Sequence, residues 1–209
     1  MKIGILGSGM VGQTLAKGLK ASGHDVRIAS RDGKKLADFA KTTGIAEGTF
    51  GDVAAFAEVV VIAVKGDAAE GLAKDLARSL AGKVVLDTTN PLAGPPANAV
   101  IPYFTAANDS IVQRLQKAAP DAKVVKWFNS VGAALMVQPK LSGTPSMFVC
   151  GDDAAAKDVA GKLARDLGWR VEDCGPAAMG HALEALCQIW CSFGFLRNDW
   201  AHAFAVLRP

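Results

Sequence analysis

The chain is short of several residue types on which familiar sites and interfaces depend. Its 209 residues include three histidines, four cysteines and one tyrosine, and the formal net charge is only +3. The basic residues are spread out, with one dense run at 31–35, so no nucleic-acid-binding surface is expected. Apolar runs such as 59–64 are far too short to cross a bilayer. Because residues 1–6 already resemble a core strand, we expect no signal peptide and a cytoplasmic location.

The four cysteines lack the CxxC spacing that is typical of zinc or redox sites. Cys187 and Cys191 are four residues apart on a predicted helix, where they share a face but are poorly placed for a disulfide. His181 alone would not complete a metal site with them. The sequence therefore predicts reduced, buried thiols and no metal centre.

The stretch that does carry a signal is MKIGILGSGMVGQTLAKGLKASGHDVRIASR at residues 1–31. It predicts a strand, a glycine loop (Gly7, Ser8, Gly9, Met10, Val11 and Gly12), an amphipathic helix and a second strand. In the dinucleotide-binding βαβ unit, the first glycine allows a tight turn and the second admits a pyrophosphate. The third lets the helix pack closely on the strand. The pyrophosphate would lie at the helix N-terminus, where unpaired N–H groups favour an anion.

The residues after the second strand distinguish between the two nicotinamide dinucleotides. An NAD site usually has Asp or Glu there, bonded to the ribose hydroxyls. This chain has Ser30 and Arg31, followed by Lys34 and Lys35, and Asp32 lies past the expected position. A hydroxyl and a guanidinium suit the 2′-phosphate of NADP. The alternative is that these cations are the solvated start of a helix.

Alternating strand-like and helical stretches predict an α/β, Rossmann-like, doubly wound and mainly parallel sheet in one domain spanning 1–209. We expect a helix around 34–43, a weak strand near 48–50, and a long Pro- and Gly-rich loop over 88–108. From about 176 to 207 we expect one apolar helix, with a possible break at Gly194. Its apolar surface is too large for a solvated helix, so it should pack on the sheet or on a second subunit.

Ligands of open parallel sheets lie across the carboxyl ends of the strands. Here those ends carry Val64-Lys65, Asn90-Pro91 and Asn129-Ser130. The two asparagines could bind the nicotinamide carboxamide or ribose, or they could be ordinary turn residues. Lys65 could touch the cofactor or act as an acid, or it could be a solvated strand end. His181 and Glu184, near the start of the last helix, are further polar candidates, although helix starts commonly carry such groups.

A familiar proton-donor set is missing from the sequence. Tyr103 is the only tyrosine, so no Tyr-x-x-x-Lys pair exists, and no Ser-His-Asp set stands out. Reduction of a simple ketone needs a placed proton donor. Hydride transfer between a nicotinamide and a flavin-like ring mainly needs two stacked rings in a dry pocket. The sequence favours the second kind of reaction.

Several blocks together resemble the NADPH-dependent deazaflavin reductases, which exchange hydride between NADP and coenzyme F420. They are MKIGILGSGMVGQTLAKGL, IASR, KVVLDTTNPL, VVKWFNSVGAAL, FVCGDD and CGP…LEAL, in that order over nearly the whole chain. The cytosolic NADPH-oxidising domain of the six-transmembrane metalloreductases is similar too, and there the acceptor is a flavin.

The resemblance implies a role for each matching position. Ser8, Gly9, Met10 and Val11 would line the pyrophosphate, and Ser30, Arg31 and Lys35 would hold the 2′-phosphate. Val64 and Lys65 would lie by the ribose and nicotinamide, with Ala133 beside the nicotinamide ring. The acceptor, a deazaflavin or flavin, would lie between loop 129–134 and the last helix, in a homodimer.

Two other interpretations are open. One is a dehydrogenase or imine reductase of the 6-phosphogluconate dehydrogenase or pyrroline-carboxylate reductase type, which shares the N-terminal half. Those families usually add a larger helical domain, whereas this chain continues with a βαβ-like stretch. The other is a non-catalytic NADP sensor or a partner-binding subunit.

Overall fold

The computed structural model describes residues 1–31 and 35–209. Its strands are Lys2–Leu6 (β1), Asp25–Ala29 (β2), Ala46–Gly48 (β3), Val59–Ile62 (β4), Val84–Asp87 (β5), Lys123–Lys126 (β6), Ser146–Gly151 (β7) and Arg170–Asp173 (β8). Its helices are Met10–Ala21 (α1), Ala37–Thr43 (α2), Phe50–Phe56 (α3), Gly66–Asp75 (α4), Ala77–Leu80 (α5), Ile111–Ala118 (α6), Ala154–Asp166 (α7) and Gly180–Arg197 (α8). Short 3₁₀ turns cover Ala133–Leu135 and Ala177–Met179.

The described strands form one sheet in the order β3-β2-β1-β4-β5-β6-β7-β8. Neighbouring strands are parallel except β6 and β7, which pair antiparallel. The chain reverses its direction of travel between β3 and β4, which lie on opposite sides of β1. Ligands of such sheets bind at this switch point, across the carboxyl ends of the strands. The predicted doubly wound, mainly parallel architecture is confirmed.

The core lies on both faces of the sheet, as a parallel sheet covered by helices requires. Strand β4 is buried throughout, with Val59 and Val61 in one apolar cluster and Val60 and Ile62 in the other. This division follows from the two-residue period of a strand. Helices α1 and α7 pack on the first face, whereas α3, α4 and α6 pack on the second.

The expected strand at 48–50 is wrong in its position. The structure has β3 at Ala46–Gly48 and begins helix α3 at Phe50. Thr49 caps this helix in a capping box, because its side chain accepts from the Asp52 N–H and Asp52 accepts from the Thr49 N–H. The reciprocal pair satisfies two N–H groups that a helix start would otherwise leave without partners.

The predicted helix over 176–207 is also wrong in its extent, because α8 ends at Arg197. Asn198 takes a left-handed conformation (φ 53°), which asparagine tolerates and which ends helices. The chain then folds back, so that the Trp200 ring covers Gly194 so closely that a Cβ atom there would lie 2.3 Å from it. The final segment continues alongside the sheet, where the Ser146 N–H donates to the Phe204 carbonyl oxygen at 2.9 Å.

In the described part of the chain, every helix is too short or too polar to cross a bilayer.

Candidate functional site

The glycines of the loop after β1 differ in what a side chain at each position would meet. Gly7 has a φ of 145°, and a Cβ atom there would lie 2.1 Å from the carbonyl oxygen of Ala63. Gly9 has ordinary extended backbone, and a Cβ atom on it would meet no described atom within 4 Å. Gly7 is therefore needed for the chain to pass its neighbour, whereas Gly9 leaves open space beside the loop.

The third glycine brings helix α1 close to this loop. A Cβ atom on Gly12 would lie 2.1 Å from the Gly7 carbonyl oxygen. The helix begins at Met10, and no described side chain caps it. The first N–H groups of an α-helix have no partner within the helix and form, with the helix dipole, a site for an anion. The arrangement is that of a phosphate cradle.

A cleft of about 680 Å³ opens from this cradle along the carboxyl edge of the sheet. The residues that line it are Gly7, Ser8, Gly9, Met10, Val11, Arg31, Lys35, Phe50, Ala63, Val64 and Lys65. Nine of these are predicted cofactor residues, contributed by the ends of β1, β2 and β4. The structure thus brings together in one cleft residues that are up to 58 positions apart in the sequence.

The end of the cleft at β2 carries positive charge from Arg31 and Lys35. Ser30, the third predicted phosphate-binding residue, is buried, and its N–H donates to the Gly48 carbonyl oxygen at 3.3 Å. Lys34, which the sequence also suggested, lies outside the described residues. A guanidinium and an ammonium at one end of a cleft suit a doubly charged phosphate.

Two residues that line the cleft are missing from the sequence prediction. Phe50 is the first residue of α3 and lines the cleft. The sequence analysis placed it in a strand over 48–50 and therefore did not predict it as a cleft residue. The capping pattern of Thr49 and Asp52 was the available signal for that helix. Ala63 directly follows β4, and its N–H donates to the Leu6 carbonyl oxygen at 2.8 Å. It lies one residue before the predicted Val64.

Asn90 and Asn129 do not line the cleft but lie beside it, joined to each other. The Asn90 side-chain N–H donates to the Asn129 backbone oxygen at 2.8 Å, and the Asn129 side chain donates to Asn90 Oδ1 at 3.0 Å. Asn129 also donates to the Leu183 carbonyl oxygen of α8 at 2.8 Å. Gly66 packs so tightly on Asn90 that a Cβ atom would lie 2.1 Å from the Asn90 backbone oxygen. The pair therefore adjoins the end of the cleft at Lys65.

The loop after β6 is held in an uncommon conformation. Phe128 has a φ of 45°, a left-handed value that is costly for a residue of this size. Packing of its ring edge-on against Trp127 and Trp169 holds it there. Asn129 Oδ1 is buried, and no described group donates to it. Ala133 follows, half-buried, at the start of a 3₁₀ turn.

Behind the two asparagines lies a cluster of three buried charges. Asp87 and Lys126 end β5 and β6 and are directly opposite in the strand register. The Lys126 ammonium is 2.6 Å from Asp87 Oδ2 and 2.7 Å from Glu184 Oε1, and all three side chains are almost inaccessible to solvent. Glu184 was a sequence candidate, but the cluster was not predicted. The signal was present, since each of two apolar strands ends in a charged residue.

The cluster carries two acids against one base. Burial alone would lower the pKa of Lys126, but the two carboxylates outweigh it and raise that pKa. Burial raises the pKa of Glu184 above its usual value, in spite of the nearby ammonium. The ammonium is therefore held charged, and Glu184 keeps a proton more readily than an exposed carboxyl does.

His181 is placed away from the cleft at the ends of β1, β2 and β4. It lines a second cavity, of about 300 Å³, together with Tyr103, Asp109 and Glu184. Its Nδ1 is 2.8 Å from the Ala178 carbonyl oxygen, one turn earlier. The structure therefore gives His181 no direct place beside Val64 and Lys65.

Comparison with known proteins agrees with this geometry. Residues 2–91 match the family model described as NADP oxidoreductase, coenzyme F420-dependent. A protein from Arthrobacter sp. FB24, proposed to be an F420-dependent NADP reductase, is 34% identical over the full length of both chains, and its crystal structure superposes with a TM-score of 0.92. The chain belongs to this family.

Two curated relatives come from the two groups of proteins that the sequence resembles. The F420-dependent NADP reductase of Methanothermobacter marburgensis is 28% identical over 89% of each chain. Rat metalloreductase STEAP3 is 33% identical over 88% of this chain, which spans only 36% of the rat protein. The predicted resemblance to both groups is confirmed.

Proposed function

We propose that this protein transfers a hydride between NADP(H) and a ring acceptor, a deazaflavin or a flavin. The observation that carries the proposal is the order of groups along the cleft. Arg31 and Lys35 lie at the β2 end, the uncapped start of α1 is in the middle, and Ala63 and Val64 lie at the β4 end. This order matches the 2′-phosphate, the pyrophosphate and the nicotinamide of one extended dinucleotide.

The residues present fit that cofactor. Gly9 leaves space where the backbone must approach the pyrophosphate, and the first turn of α1 offers N–H groups to it. Phe50 provides an aromatic wall near the cationic end, suitable for the adenosine half. When bound, NADP(H) supplies the hydride chemistry through its nicotinamide ring. The protein supplies orientation and a dry surface at Ala63 and Val64.

The acceptor is proposed to be a ring because the cleft offers little acid–base chemistry. Among the described lining residues at the β4 end, Lys65 is the one with a titratable side chain. Tyr103 is turned elsewhere, and its hydroxyl donates to the Glu184 backbone oxygen at 2.7 Å. Hydride transfer between two stacked rings depends chiefly on distance and alignment. The acceptor would lie beyond the nicotinamide, between loop 129–134 and α8.

The direct test is to follow NADPH oxidation, by the loss of its absorbance, with the deazaflavin, FMN, FAD and riboflavin in separate reactions. Rapid oxidation with one of them would support the proposal and identify the acceptor. If NADPH binds but none of the four oxidises it, the proposal fails. Turnover of a cyclic imine or hydroxy acid would then favour the dehydrogenase alternative, and no turnover at all would favour a sensor.

The NADP preference is tested separately with Arg31→Ala. Loss of a charged contact to the 2′-phosphate should weaken NADPH binding at least about tenfold, or about 1.4 kcal/mol, and leave NADH binding unchanged. Lys41→Ala is the control, since Lys41 is an exposed lysine of the nearby helix α2 outside the cleft. Equal NADPH affinity in the Arg31 variant and the control would contradict the assignment.

We also propose that the protein is a homodimer that pairs through α8 and the segment after it. Ile189, Phe195, Leu196 and Trp200 are exposed there, and large apolar side chains grouped on a surface mark an interaction site. Light scattering after size exclusion should give twice the chain mass, and Leu196→Glu should reduce it toward the monomer. A monomeric wild-type protein would contradict this proposal.

A further inference from the structure

The buried lysine at the end of β6 uses all of its hydrogen-bonding capacity. An ammonium has three N–H donors. Lys126 Nζ is 2.6 Å from Asp87 Oδ2 and 2.7 Å from Glu184 Oε1, and it donates to the Thr89 backbone oxygen at 2.9 Å. These partners belong to β5, to α8 and to the loop after β5. One side chain on β6 therefore joins two regions that are distant from it and from each other in sequence, residues 87–89 and helix α8.

Those contacts are part of a closed ring of interactions. Asp87 Oδ1 accepts from both the N–H and the hydroxyl of Thr89, at 2.8 and 2.7 Å, so the start of the loop after β5 is fixed. The next residue, Asn90, is clasped to Asn129 through two hydrogen bonds. Asn129 then bonds to the Leu183 backbone oxygen.

The ring closes through helix α8, because Leu183 precedes Glu184, which contacts Lys126. Glu184 Oε1 also accepts from the Ile111 N–H at the start of α6, at 2.9 Å. Removing the ammonium would therefore open the ring at the point where the loop after β5 meets β6 and the start of α8.

The position of the ring along the sheet is the second part of the argument. The cofactor cleft occupies the ends of β2, β1 and β4, and the next strands in the sheet order are β5 and β6. Asn90 touches Gly66, directly after Lys65 at the end of the cleft. The ring thus borders the place where the reacting end of the dinucleotide meets its acceptor. A misplacement of about 1 Å there can cost about a hundredfold in rate.

We infer that Lys126 is a positioning residue for the hydride transfer, which holds the loops after β5 and β6 in the alignment that the two reacting rings require. This inference rests on the proposed function. It assigns Lys126 no contact with the substrates. NADPH affinity should depend little on Lys126, because Arg31 and Lys35 lie at the other end of the cleft and Gly9 lies in its middle.

The test compares two lysines of the same strand. Lys126→Met removes the buried ammonium, and Lys123→Met removes a partly exposed one whose partner is Asp153, at 3.1 Å. NADPH-binding sites are counted by fluorescence titration, and kcat is expressed per site. Lys126→Met should bind NADPH within about twofold of wild type but lose at least about tenfold in kcat per site. Lys123→Met should match wild type in both.

A merely structural role predicts a different result. Partial unfolding would reduce the number of binding sites and the activity in proportion, leaving kcat per site unchanged, and that result would overturn the inference. If Lys126→Met does not fold, Asn90→Ala opens the ring at a half-buried residue without leaving an unpaired charge. It should also lower kcat per site, and an unchanged value would equally overturn the inference.

Failure of the proposed function is recognised separately: the wild-type protein would then bind NADPH, but none of the ring acceptors would oxidise it. In that case the emission of bound NADPH provides the remaining measurement, since it reports the surroundings of the nicotinamide. A changed emission spectrum in Lys126→Met but not in Lys123→Met would support positioning, and identical spectra would reject it.

Discussion

Replacing single glycines of the loop after β1 by alanine separates its structural role from its binding role. Gly12 and Gly9 differ in what a new methyl group would meet. At Gly12 the added carbon would lie 2.1 Å from the backbone oxygen of Gly7, where ordinary contact begins at 3.4 Å. At Gly9 it would meet no described atom within 4 Å, and it would stand in the cleft. The two variants should therefore fail in different assays.

The magnitude at Gly12 follows from two opposing terms. Helix α1 must move by about 1 Å, because Gly7 packs against the Ala63 carbonyl oxygen and its N–H donates to the Ala29 carbonyl oxygen, so it cannot retreat; overpacking of this kind costs about 1–3 kcal/mol. Alanine recovers about 1 kcal/mol of helix propensity relative to glycine. With a fixed backbone atom as the obstacle, we expect the upper end of the cost and a net loss of about 2 kcal/mol. For a chain of this size, Tm should fall by about 4–8 °C.

At Gly9 the stability cost should be less than about 1 kcal/mol, because the backbone there is ordinary and alanine is only a poorer helix cap than glycine. NADPH affinity should instead fall at least about tenfold, or about 1.4 kcal/mol. Thermal unfolding by circular dichroism and NADPH titration on both variants test the pair. A Gly12→Ala protein with wild-type Tm, or a Gly9→Ala protein with wild-type affinity, would refute this account of the loop.

Two further predictions concern the pH dependence of stability. Because burial raises the pKa of Glu184, its contribution to stability is present at low pH and is lost as the pH rises through the raised value. The Tm of Glu184→Gln relative to wild type should therefore rise as the pH is increased from about 5 to about 8, and a constant difference would contradict the raised pKa. Arg208 holds the pKa of Glu172 below its usual range, so that pair stabilises the protein at neutral pH and ceases to do so as the pH falls through the lowered value. Arg208→Ala should accordingly lower Tm near neutrality and leave it unchanged in acid, where melting curves of both proteins should coincide.

The parts of the fold that were predictable depend on local sequence. The glycine loop could be predicted because Gly7, Gly9 and Gly12 lie between a short apolar strand and the start of a helix, within one continuous stretch of sequence. The parallel sheet was predictable from fully apolar runs such as that of β4. A strand needs apolar residues on both sides only when helices cover both faces of its sheet. For the same reason, most residues of the cleft could be named before the structure was known.

The sequence predictions were wrong at the end of α8, where a distant contact decides the local structure, and at the start of α3, where a helix cap does. The end of α8 at Arg197 depends on Asn198 and on the Trp200 ring that folds back over Gly194. Helical periodicity continues past that point in the sequence, so the turn was concealed. At Phe50 the sequence predicted the end of a strand, whereas the structure begins helix α3 there. The spacing of Thr49 and Asp52 is the capping-box pattern that indicates a helix start.

The buried charge cluster shows a third kind of limit, and it bears on function. A sequence can indicate that Asp87 and Lys126 end two strands, but only the sheet order makes those strands neighbours and places the residues in register. Glu184 reaches the same point from a helix 58 residues further along the chain. Three buried charges cost stability unless they are paired and hydrogen-bonded, and an apolar set of similar volume would often serve the fold as well. They lie beside the Asn90–Asn129 pair, next in sheet order after the cleft. The proposed positioning of the two loops would explain this location, which packing alone does not require.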